Sequence, residues 1–177
     1  MRASAYALAA ALCAVPALAA AQNPVSDAFR ANEQRNARNL TAAVDLFPAD
    51  KFGYKPTPAQ MTVAEIAVHL AEGNDELCST VGGTTAPQRS KVDATASKEQ
   101  LMARLRETFE YCGTALAGLT DAQLADSVLM FGGPRKATRA NMLVITVGDW
   151  ADHYSQLAIY LRLNGMLPPT ARPRPSV

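Results

Sequence analysis

The chain contains two histidines, His69 and His153, and an aspartate, Asp149, stands four residues before the second. The segment that carries this pair, "GDWADHYSQLAIYLRLNGMLPP", has the apolar period of a helix. At 100° per residue, Thr146, Trp150, His153, Leu157, Tyr160 and Asn164 fall on one stripe, and Asp149 lies about 40° to its side. Residues at i and i+4 share a face, so a carboxylate and an imidazole meet where the helix is otherwise apolar. Asp152 lies roughly 100° away, toward solvent. Ionisable groups on an inward stripe cost free energy unless something compensates them.

Three chemistries fit these residues. Asp149 and His153 can form a hydrogen-bonded structural pair, with His69 an ordinary packed histidine. They can form a general acid–base dyad in which Asp149 holds the His153 tautomer, although no Ser or Cys nucleophile is identifiable by local pattern. They can also join His69 around a metal ion, since helical bundles build metal sites from inward side chains on facing helices. Two imidazoles and one carboxylate suit Zn²⁺, Ni²⁺ or Fe²⁺, with open positions for water or substrate. Trp150 and Tyr160 read as core packing. Arg135 and Arg139, just before the last helix, read as solvated loop charges or as partners for an anionic substrate.

Four helical segments are expected to position these groups. The first runs from an N-cap at Ser26 to about Leu46, with Phe29, Leu40, Ala43, Val44 and Phe47 at helical spacing. The second opens at the capping box of Thr62 and Glu65, carries His69 at the edge of its apolar stripe and stops at Gly82-Gly83. The third begins near Ser97 and places Leu101, Leu105, Phe109, Cys112 and Leu116 on one face. The fourth runs from about Asn141 to Asn164, and Gly165 ends it. No strand run is evident, nor any Gly-rich phosphate loop. The expectation is an all-α four-helix bundle.

Composition narrows the function further. Arg2, an Ala/Leu-rich run and the small residues around Ala21 follow the order of a secretory signal peptide. Residues 1–21 are therefore expected to be cleaved, residues 22–168 to form the bundle, and residues 169–177 to be a disordered Pro/Arg-rich tail. Cleavage removes one of the 17 basic residues and none of the 16 acidic ones. A charge-balanced surface argues against nucleic-acid binding, which needs a basic footprint. No remaining segment is apolar enough to span a membrane, so a periplasmic or secreted protein is expected. A small-molecule substrate and a second copy of the chain, as a homodimer, are the partners this reading allows.

"KPTPAQMTVAEIAVHLAEGN" followed by "DHYSQLAIYLRLNGMLPP" resembles the DinB/YfiT-like superfamily of metal-binding helical bundles, over most of the chain. In that family one histidine of the second helix and two of the last hold a divalent metal. The resemblance implies that His69 and His153 are ligands. The position four residues before His153 is usually histidine there and is Asp149 here. Zinc or nickel is the expected cofactor, since imidazole dominates the set; the resemblance implies a metal-dependent hydrolase or thiol transferase of unknown substrate, with a non-catalytic periplasmic or metal-sequestering bundle as the alternative. The family's chain path is up-down-down-up. The connection from Gly83 to Ala96 can reach roughly 45 Å when extended, enough for a crossover past a helix of ~20 residues and ~30 Å. With the second and third helices parallel, Cys78 and Cys112 reach similar heights. They are the only cysteines left after cleavage, and an oxidising compartment would join them.

Overall fold

The computed structural model describes residues 22–173. Residues 1–21, on which the expected leader falls, lie outside the described residues, as do 174–177. Four helices dominate: α1 (Pro24–Asp45), α2 (Val63–Gly82), α3 (Lys98–Leu116) and α4 (Arg139–Leu163). A two-stranded hairpin, β1 (Ser127–Leu129) and β2 (Lys136–Thr138), precedes α4, pairing Ser127 with Thr138 and Leu129 with Lys136. No helix of the described residues is long and apolar enough to cross a membrane.

Local chemistry sets the helix ends. At α2 the Thr62 hydroxyl accepts from the Glu65 N–H at 3.1 Å, and the Glu65 carboxylate accepts from the Thr62 N–H at 2.6 Å. These bonds satisfy two orphan donors of the first turn. Ser97 and Gln100 do the same for α3. The other end of α2 closes on Gly83 at φ +69°, a left-handed position that favours glycine. Helix α1 starts earlier than the Ser26 cap expected from sequence, because Pro24 with its fixed φ sits in the first turn. The Asp121 carboxylate accepts from the Val25 and Ser26 N–H groups at 3.1 and 2.8 Å, so the cap comes from a distant loop. Helix α4 likewise begins two residues before Asn141, where the Thr138 hydroxyl accepts from the Asn141 N–H.

Side-chain rungs define the chain path. Between α2 and α3, Asn74 meets Thr108, Cys78 is bonded to Cys112, and Gly82 meets Ala115, in the same order along both helices. These two are parallel, with Cα atoms 5.1 Å apart at the disulfide. A Cβ on Gly82 would lie 2.3 Å from the Ala115 carbonyl oxygen, so only glycine permits this approach. Between α2 and α4 the order reverses: Val81 with Arg139, Asn74 with Trp150, Met61 with Tyr160. Helices α1 and α3 are also antiparallel, Arg30 reaching the Leu116 and Leu119 carbonyls and Lys98 those of Asp45 and Phe47. The path is therefore up-down-down-up, and the segment between Gly83 and Ser97 is the crossover. Arg89 pins that crossover by ion pairs to Asp75 and Glu107, and Arg104 donates to the Ser90 carbonyl.

Around the central Trp150, which is fully buried, Phe29 stacks at 5.9 Å and Phe109 tilts at 6.0 Å. Tyr160 is equally buried, as core packing requires. The hairpin escaped the sequence reading because strands of three residues are too short to show alternation. The ordered chain also continues past residue 168. Pro169–Ala171 form a 3-10 turn, and the Tyr154 hydroxyl bonds to Thr170 at 2.9 Å.

Candidate metal centre

Helices α2 and α4 bring His69, Asp149 and His153 to one point on their shared seam. Three contacts set the register that does this. Arg139 donates to the Val81 carbonyl at one end, and Tyr160 to the Met61 carbonyl at the other. In the middle the Trp150 indole N–H donates to the buried Asn74 amide oxygen at 2.8 Å, while the Asn74 amide nitrogen donates to Thr108 of α3. With Trp150 fixed inward, its neighbour Asp149 is turned onto the α2 side, and His153 follows one turn later.

The geometry is tight. His69 Nε2 lies 3.3 Å from Asp149 Oδ1, and His153 Nε2 lies 3.4 Å from the same oxygen. The two imidazole rings are 4.6 Å apart at 61°. One ligand atom from each residue falls within 4.8 Å of the other two. The side chains are graded in exposure, 48% for His69, 21% for Asp149 and 6% for His153. One side of the cluster is thus open to solvent and the other closed by the core. Burial raises the Asp149 carboxyl, but hydrogen bonding and charge from His153 and then His69 outweigh it, and the group is held below the usual carboxylate range.

Charge-assisted N–H···O contacts usually close to about 2.7–2.9 Å. Two donors bound tetrahedrally to one ion at about 2.0–2.1 Å lie roughly 3.3–3.4 Å apart. The Asp149 separations reach the second spacing, at the long end of hydrogen bonding, and all three ligand atoms lie within 4.8 Å of one another. The donor set therefore fits a divalent metal. His153 Nδ1 is buried with no hydrogen-bond partner among the described residues, so the ring lacks the outer acceptor that metal-bound histidines usually have.

The other residues singled out from sequence lie elsewhere. Asp152 is exposed and accepts from Gln156. Tyr154 binds Thr170. Arg139 is neither a solvated loop charge nor free for an anion, being 14% exposed, paired with Asp126 at 3.4 Å and bonded to Val81. A cavity of about 610 Å³ between α2 and the crossover is lined by Val68 and Glu72 but by no member of the triad.

The family model of the DinB superfamily matches residues 34–157. The chain belongs to the DinB superfamily. Among solved structures, this DinB protein is similar to a DinB-like protein of Bacillus subtilis, at TM-score 0.65 and 19% identity over 83% of this chain and 99% of that one. It is also similar to YfiT of Bacillus subtilis, described as a probable metal-dependent hydrolase with an unusual four-helix bundle topology. There the TM-score is 0.63 and identity 17%, over 86% and 94% of the two chains. A mycothiol-dependent maleylpyruvate isomerase matches at TM-score 0.60 and 14% identity, over 75% of this chain and 60% of that one. At these identities the likeness is one of fold. A search of curated protein sequences returned no match.

Proposed function

We propose that this DinB-superfamily protein holds one divalent metal, zinc or nickel, through His69, Asp149 and His153, and that it is an exported metal-dependent hydrolase of a small-molecule substrate. The observation that carries the reading is the pair of 3.3 and 3.4 Å separations around one carboxylate oxygen. The probable metal-dependent hydrolase of the same fold supports it. When bound, a divalent cation supplies a Lewis acid that activates water near neutral pH and polarises an oxygen of the substrate. His153 forms the closed inner wall of the site and His69 its solvent-facing edge, so substrate approaches from the His69 side. Asp149 contributes a carboxylate where the family usually has an imidazole, which lowers the net charge of the site by one. Asn74 and Trp150 keep α4 from rotating and so preserve the aim of both its ligands. A thiol transferase would use the same ligands, with a thiol in place of water. Export is supported by the leader pattern and by a buried disulfide, which persists in an oxidising compartment.

The test is elemental analysis of untagged protein purified without chelator. One equivalent of metal is expected, with His153→Ala and His69→Ala losing most of it and Asp149→His retaining it. Loaded protein should hydrolyse activated esters, and chelation should abolish that activity. The reading fails if the wild type stays metal-free in micromolar zinc and nickel while Asp149→Asn leaves stability unchanged.

A further inference from the structure

Helix α1 carries a second ionisable group inside the bundle, away from the metal seam. Glu33 is 4% exposed, between Phe29 one turn before it and Asn36 one turn after. Among the described residues no hydrogen bond or salt bridge reaches its carboxyl. The residue is buried, but its carboxyl oxygens are not sealed from solvent, so a partner can reach them. Burial pushes the Glu33 carboxyl up to about 7, with only the Arg38 charge acting against it. A group this poorly compensated in the free protein gains much from a partner.

The surroundings say which partner. Glu33 lines a groove of about 400 Å³ between α1 and α3, within the range of small-molecule sites. Phe109, itself buried, supplies an apolar wall, and a Cβ on Gly113 would meet nothing, so the groove is open beside that wall. Arg38 from α1 and Arg106 and Glu110 from α3 stand on the same lining. Arg38 makes no salt bridge, and Arg106 has only a 3.9 Å pair with Asp45, both half-exposed. One carboxyl is therefore deep, and two guanidinium groups stand at the rim, Arg106 held only by its long pair with Asp45. A ligand carrying only negative charge would meet Glu33 and Glu110. One carrying only positive charge would face Arg38 and Arg106. A molecule with both charges, close together, satisfies both ends.

We infer that the α1/α3 groove binds a small zwitterion of the α-amino-acid type, its ammonium on Glu33, its carboxylate toward Arg38 and Arg106, and its apolar flank on Phe109. The ammonium replaces weak hydration with a charge-assisted hydrogen bond. The guanidinium forks offer the geometry that carboxylates prefer. Because the ammonium favours ionised Glu33, binding at pH 6 displaces a proton from it, whereas at pH 8 the proton is already gone. Affinity thus rises by about tenfold across that interval. The groove shares no lining residue with the metal site.

The test is calorimetric titration of the full protein with L-leucine, with 3-methylbutylamine (the same ammonium without the carboxylate) and with 4-methylpentanoate (the carboxylate without the ammonium). Saturable binding of leucine is expected, with each single-charge analogue at least about tenfold weaker. In buffers of different ionisation enthalpy, proton release should accompany leucine binding at pH 6 and vanish at pH 8. Glu33→Gln should cost leucine at least about tenfold and flatten the pH dependence. The surface double variant Arg38→Gln with Arg106→Gln, which leaves the core untouched, should weaken leucine and leave 3-methylbutylamine unchanged or tighter. Absence of leucine binding at millimolar concentration, equal binding of 4-methylpentanoate, or an unchanged affinity in Glu33→Gln would each overturn the site.

Discussion

Asp149 and Glu33 are both carboxyl groups drawn into the same bundle, and they behave oppositely. Asp149, on the α2/α4 seam, has two imidazoles against one oxygen and is held below the usual range despite its burial. Glu33, on the α1/α3 seam, has no contact partner and rises to about 7. Both feel desolvation, so burial alone does not decide the charge state. The neighbours decide it, and at the second seam they are missing from the chain itself. One seam gathers three side chains of metal-ligating type from the chain itself. The other is completed from outside.

The largest effect on this contrast should come from the bond that joins the two seams. Helix α2 belongs to the first and α3 to the second, and Cys78–Cys112 ties them across a sequence separation of 34. Closing a loop of that size restricts the unfolded chain by about 4 kcal/mol. Urea unfolding of the Cys78→Ala, Cys112→Ala double variant should show a loss of that order. If both metal retention and leucine binding survive it unchanged, each seam is held by its own pair of helices and the bond serves stability alone.

Next in size is the cost of Glu33 itself. Its folded value of about 7 lies above its ordinary value of 4.5. The unfolded chain therefore sheds this proton first as pH rises, and stability falls between pH 4.5 and about 7. The shift corresponds to at most roughly 3 kcal/mol at pH 8, reduced where solvent in the groove screens the charge, and to nothing below pH 4. Glu33→Gln should thus be more stable than wild type at pH 8 and equal to it at pH 4, by denaturant titration at both. Equal stability at pH 8 would mean that Glu33 finds a partner in solution, and the contrast with Asp149 would vanish.

These two carboxyls also differ in how far sequence reveals them. The pair at Asp149 and His153 is visible because i and i+4 residues share a face whatever the tertiary structure. His69 is visible because histidine is rare in this chain and the family resemblance adds a role, while its convergence on the pair needs the packing of α2 on α4. Glu33 went unread although it lies four residues after Phe29 and seven before Leu40, squarely on the buried stripe. A glutamate is assigned to solvent by type, and here the period was the better guide. The capping box of Thr62 and Glu65 made α2 legible at its first residues, whereas the equivalent box of Ser97 and Gln100 on α3 emerges from the structure. Arg139 was misread because the carbonyl it satisfies, that of Val81, is set by the bundle path and by no local pattern.

A smaller effect separates two roles for Asp149. Asparagine in its place keeps the shape and can still accept a hydrogen bond from either imidazole, but it loses the charge. Asp149→Asn should retain metal about tenfold to a hundredfold less well than wild type, some 1.4–2.7 kcal/mol, by equilibrium dialysis against zinc. Full retention would make the carboxylate a hydrogen-bond acceptor beside the site and leave only two ligands from the chain.

The smallest expected change is also the cleanest test that the seams are independent. Thr62 caps α2 less than two turns before His69 reaches the seam. Replacing it by alanine removes the acceptor for the Glu65 N–H, which typically costs about 1 kcal/mol. The loss is local, because the Asn74 and Val81 contacts that hold the rest of α2 on α4 lie further along the helix. Hydrogen exchange should therefore speed up in the first turn of α2 in Thr62→Ala, and zinc retention should fall a few-fold as His69 loses its fixed backbone. Leucine binding should not move, since no residue of α2 lines the α1/α3 groove. A parallel drop in leucine affinity would show that loosening one seam loosens the other through Trp150, which touches Asn74 on one side and Phe109 on the other, and the two sites would then have to be treated as one coupled unit.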